Sequence, residues 1–121
     1  MAAMPEDLTS DERSLLRTAL LQWGGPARPT DNLAVALGFK DVADFRSERH
    51  RLADLLASGG ELSSFDATRV LAAAEVVFAS DVFGAGVDWE TVTGMSDAET
   101  IKALRGIQRK LVGGYGELTE R

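Results

Sequence analysis

Cysteine is missing from this 121-residue chain, and histidine occurs once. The first absence excludes disulfide staples, thiolate nucleophiles and cysteine-based zinc sites. The second leaves His50 without a second imidazole for catalysis or metal binding, and its neighbours Arg49 and Arg51 point to a solvated position. No apolar run reaches the roughly 20 residues a bilayer-spanning helix needs, so no membrane partner is expected. No segment alternates with the period-two pattern of a half-buried strand, and no internal repeat is present. HExxH, Walker and EF-hand patterns are also missing. The opening stretch MAAMPEDLTSDER shows no basic region followed by an apolar one, so the expected location is the cytoplasm. Positive surface is scarce as well. With a net charge of −6 the chain is disfavoured as a general phosphate-backbone binder.

What is present is ordinary globular composition, 45% hydrophobic and 26% charged, which argues for a folded core over disorder. The stretch Thr68 to Phe83, TRVLAAAEVVFASDVF, is the longest apolar run. At about 100° per residue its Val, Leu and Phe side chains spread around most of the helix circumference, the mark of a buried helix. It is expected to be the central helix, about residues 64–83, of an all-α, compact single-domain bundle of about five helices. Ala72, Ala73, Ala74 and Ala79 would let neighbours approach closely.

Residues 1–8 read as a flexible lead, 9–112 as the single helical domain and 113–121 as a flexible tail. Thr9 and Glu12 form a capping box for a first helix to about Trp23, with Leu15, Leu16, Ala19, Leu20 and Trp23 facing inward. Gly24, Gly25 and Pro26 end it. Thr30 or Asp31 caps a short second helix that Gly38 stops. Asp41 and Asp44 open a third, to about Ala57, with Val42, Phe45, Leu52 and Leu56 as its apolar stripe and Arg49 in its midst. Ser63 or Ser64 caps the central helix. Ser96 and Glu99 open the last, about Asp97 to Val112, with Ile101, Leu104, Gln108, Leu111 and Val112 inward and Gly113 and Gly114 as its stop.

The connector GAGVDWETVTGM carries Trp89, which a solvated loop would not use, so it is expected to fold back over one end of the core. If Trp89 and Val87 are exposed together, they are the expected partner contact and a route to a homodimer. Asp81 is expected to accept from backbone amides of this glycine turn. Glu75 is expected to pair with Arg49. An alternative places Asp81, Asp88 and Glu90 together as a Mg²⁺ or Ca²⁺ site of a small metal-dependent enzyme. Otherwise no metal, cofactor or catalytic residue is indicated.

Within NLAVALGFKDVADFRSERHR, the run Ala34, Gly38, Phe39 and Phe45 resembles the second helix-turn-helix unit of AraC-type regulators. The resemblance covers about twenty residues, 31–51. It implies a DNA-binding alternative in which Arg46, Arg49, His50 and Arg51 face nucleic acid, although Asp41, Asp44 and Glu48 on the same helix would repel phosphate. A second basic feature is the face of the last helix that carries Lys102, Arg105 and Arg109. Basic residues there complement the helix dipole and also suit an anionic partner. The expected function is therefore non-enzymatic protein interaction or regulation, with an unknown protein partner met through Trp89, Val87, Lys102, Arg105 and Arg109.

Overall fold

Helix starts in this chain are set by side-chain oxygens that take up otherwise unpaired amides. Thr9 caps helix α1 (Ser10–Gln22) through a full capping box. Its hydroxyl accepts from the Glu12 amide at 3.0 Å, and its own amide donates to Glu12 Oε1 at 2.8 Å. The side chains of Thr30, Asp41 and Ser63 cap α2 (Asp31–Ala36), α3 (Val42–Ser58) and α4 (Ser64–Ala79) by accepting from the amides of Leu33, Asp44 and Asp66. A 3₁₀ turn, Gly86–Asp88, leads into α5 (Trp89–Thr93). Ser96 opens α6 (Asp97–Thr119), accepting from the Glu99 amide at 3.1 Å.

The computed structural model describes residues 8–24, 27 and 29–119, with side chains described as far as Leu111. Among these residues there are six α-helices and no strand, the all-α bundle expected. Residues 1–7 of the expected lead, Gly25, Pro26, the Val112 side chain and the last two residues of the expected tail lie outside the described residues. Leu8, assigned to the lead, is buried in the core.

The apolar face of α1 packs against α3, α4 and α6. Leu16, Ala19 and Leu20 are fully buried, and each such leucine contributes about 2 kcal/mol. Against them α4 presents Ala67, Val70, Ala73, Ala74 and Val77. Its small residues allow the close approach that brings the Trp23 indole N–H to the Ala73 carbonyl at 3.2 Å. Phe45 lies between Trp23, at 5.3 Å, and Phe39, at 4.5 Å, which ties the α2–α3 turn to the same core.

Three boundaries or registers differ from expectation. α4 ends at Ala79, not near Phe83, because the chain doubles back over its last turn. A Cβ on Gly84 would sit 2.6 Å from Val77 Cα, so only glycine fits, and the Ala85 amide takes the Val77 carbonyl at 2.7 Å. Val82 consequently stands exposed. On α6 the inward stripe is Thr100, Leu104, Ile107 and Leu111, while Ile101 is exposed and Gln108 half-buried. Finally, α6 does not stop at Gly113 and Gly114; its backbone remains helical to Thr119.

The connector is a lid. Trp89 is fully buried, edge-on to Phe78 at 5.5 Å, and its indole N–H donates to Thr100 Oγ1 at 2.8 Å. The Thr100 hydroxyl passes its own proton to the Ser96 carbonyl at 2.8 Å. Thr100→Val keeps the shape and removes the acceptor, leaving a buried N–H unpaired. The expected loss is about 2 kcal/mol of unfolding free energy, read by urea titration of Trp fluorescence.

Candidate functional site

Lys102, Arg105 and Arg109 all stand exposed on α6. Two of them, Lys102 and Arg109, border a cleft of about 530 Å³ between α1 and α6. That volume lies within the range of ligand-binding clefts, roughly 300–1,000 Å³. Leu15, Met95 and Ala103 contribute apolar lining, and Asp11 and Glu99 lie on its border. Gly106 lets the Glu12 carboxylate lie against α6, since a Cβ there would meet Glu12 Oε2 at 2.6 Å.

Glu12 is buried, yet it stays a carboxylate. Burial pushes its pKa up, but hydrogen bonds from Lys110 and the Thr9 amide, with the Lys110 charge, outweigh that and lower it overall. Lys110 Nζ lies 2.6 Å from Glu12 Oε1 and so ties α6 to α1. Arg105 turns the other way. It donates to Gln108 Oε1 at 2.9 Å, and Gln108 donates to Glu75 Oε2 of α4 at 2.6 Å.

Glu75 is thus held by Gln108 and not by Arg49, the partner expected for it. Arg49 Nη1 instead reaches over the end of α1 to the Leu21 carbonyl at 3.3 Å, and Nη2 lies 3.2 Å from His50 Nε2. Burial, with the nearby Arg46 charge, lowers its pKa. The wheel puts Arg49 on the stripe correctly, but its length carries the guanidinium to a helix end.

Of the interaction candidates, Trp89 is corrected: a fully buried indole held by Thr100 is core, not a contact for a partner. Val87 is 83% exposed and keeps its place on the surface. Of the nucleic-acid candidates, Arg46 and His50 are exposed, but Arg51 is committed. Its guanidinium forks onto Glu48 at 2.7 and 3.0 Å and reaches Asp66 at 3.1 Å, which raises its pKa further. The alternative metal site fails on geometry: Asp81 Oδ1 accepts from the Val87 amide at 2.7 Å, as expected for a turn carboxylate. Among the described residues no group of three or more His, Asp or Glu side chains could hold a metal ion.

The residue that sequence reasoning missed is Arg69. It lies within the most apolar helix and is 6% exposed. Its guanidinium is 4.3 Å from the Phe39 ring and 4.6 Å from the Phe65 ring. It donates to Glu48 at 3.0 Å, to Asp66 at 2.8 Å and to the Gly38 carbonyl at 3.2 Å. One side chain therefore locks α4 to α3 and to the turn after α2. Asp66, three residues earlier on the same face, was the available signal.

No protein-family model, curated protein or solved structure matches this chain. No helix among the described residues is long and apolar enough to cross a membrane.

Removing Arg69 takes the buried cation from Glu48 and Asp66 and leaves them to share the exposed Arg51. Arg69→Met should cost about 3 kcal/mol in urea unfolding, with Arg69→Lys between it and the wild type because an ammonium cannot fork. Hydrogen bonding from Arg51, opposed by burial and reinforced by Arg69, brings the Glu48 pKa from 4.5 to about 2. A depressed carboxylate stabilises fully above its unfolded pKa, so this contribution should fade as pH falls from 4.5 towards 2. Urea midpoints across that window should fall less steeply in Glu48→Gln than in the wild type.

Proposed function

We propose that this chain is a non-enzymatic protein-interaction module, and that it docks an acidic, partly apolar segment of another protein along the α1–α6 cleft. The observation that carries the reading is the pair of exposed cations Lys102 and Arg109 at the border of a cleft with apolar lining, with Arg105 exposed on the same helix, in a chain of net charge −6. Such cations orient an acidic partner and speed its arrival, while the half-buried Met95 and Ala103 offer surface for an apolar side chain. Three carboxylates line the cleft, and of these Glu12 is paired with Lys110. Glu99 holds Ser96 at 3.0 Å, and Asp11 lies in the first turn of α1, where the helix dipole favours it.

The same comparison ranks the DNA-binding alternative lower. With Arg51 forked on carboxylates, Arg46 is the uncommitted full cation on α3 among the described residues, against three exposed on α6.

Affinity capture from lysate of the source cell, with and without nuclease, tests the proposal using three forms. These are the wild type, the combined Lys102→Glu, Arg105→Glu, Arg109→Glu variant, and Arg46→Glu as control. The expected result is a stoichiometric protein that survives nuclease, weakens with added salt, is retained by Arg46→Glu and is lost by the triple variant. Recovery of nucleic acid, loss of the partner on nuclease treatment, or equal capture by the triple variant would overturn it.

A further inference from the structure

A second hollow, of about 480 Å³, lies between α1 and the end of α3. Ser10, Arg13, Ser14 and Arg17 of α1 form one wall, and residues 56–59 form the other. The spacing i, i+3, i+4, i+7 puts those four side chains on a single helix face. Although the whole chain carries −6, no carboxylate among the described residues lines this hollow. Asp11 lies about 120° round the helix from Arg17 and lines the α1–α6 cleft.

Arg13 is anchored in the wall. Its Nε donates to the Leu56 carbonyl at 3.2 Å, and its Nη2 to the Leu55 and Gly60 carbonyls at 3.0 and 2.9 Å. Those bonds use three of the five guanidinium N–H groups and leave the two on Nη1. They also cover the terminal carbonyls of α3, the groups that would otherwise repel an anion at this spot. Arg17, one turn on, is exposed. The hydroxyls of Ser10 and Ser14 supply two further donors. Ser58 does not add one, because its proton goes to the Leu55 carbonyl at 3.3 Å.

A fixed guanidinium, a second one free to close, and two hydroxyls match a ligand with several anionic oxygens on one centre. A carboxylate would occupy only one arginine fork, whereas a phosphate can take charge-assisted bonds from both arginines. We infer that this hollow binds a phosphate dianion, free or as a monoester, held by Arg13 Nη1, Arg17 and the Ser10 and Ser14 hydroxyls. The site shares Ser14 with the α1–α6 cleft but none of the docking cations on α6, so either reading can fail without the other.

The test is a ¹H–¹⁵N NMR titration of the full chain with inorganic phosphate and, in parallel, with N-acetyl-phosphoserine amide. Saturable shifts confined to the amides of residues 10–17 and 56–60 are expected. Arg17→Ala should weaken binding about tenfold or more without changing the thermal midpoint, since Arg17 is exposed and the loss is of one charge-assisted contact. Tighter binding of the phosphoserine amide would assign the ligand to a phosphorylated residue of a protein, and equal or weaker binding to free phosphate. Non-saturating shifts, the same shifts with chloride at matched ionic strength, or an unchanged affinity in Arg17→Ala would overturn the inference.

Discussion

The burial of one face of α1 is the constraint on which the other helices depend. Leu16, Ala19 and Leu20 have no exposed surface, and the helix that carries them touches α3, α4 and α6. A helix packed on three neighbours keeps only a narrow polar strip. That strip borders the α6 cleft on one side and the α3 hollow on the other, and Ser14 lines both. The two surfaces proposed to bind a protein segment and a phosphate are therefore products of the same packing.

Charged side chains fasten this arrangement at helix ends and between helices. Arg13 closes the end of α3, Arg49 reaches the end of α1, Lys110 takes the buried Glu12, and Arg69 joins α3 to α4. Long side chains can do this because their stems pack on apolar surface while their heads find oxygen. A cation whose charge is met by carboxylates is unavailable to an anion, whereas Arg13, bonded to neutral carbonyls, keeps its charge and the two N–H groups of Nη1. That is why Arg51, forked between Glu48 and Asp66, is a weak candidate for phosphate contact, whereas Lys102 and Arg109 remain available at an open cleft.

Thr9, Thr30, Asp41 and Ser63 announce four helix starts in sequence because capping depends on residues only three apart. The α6 register was not legible in the same way. Hydropathy ranks Ile101 above Thr100, but Thr100 is the inward residue, and the buried indole of Trp89 uses its hydroxyl. The end of α4 was hidden for a similar reason. Nothing in its periodicity reports that Gly84 will lie against Val77.

The sequence by itself determined the helical class, most helix starts, the turn role of Asp81 and the basic face of α6, since each rests on contacts within a few residues or on composition. Tertiary structure alone decided that Trp89 is a core residue, that Glu75 meets Gln108, and that Arg69 has its carboxylate partner Glu48 on another helix. It also decided which cations remain open to a partner. Those outcomes depend on groups far apart in the chain and brought together only by packing, so no local pattern encodes them.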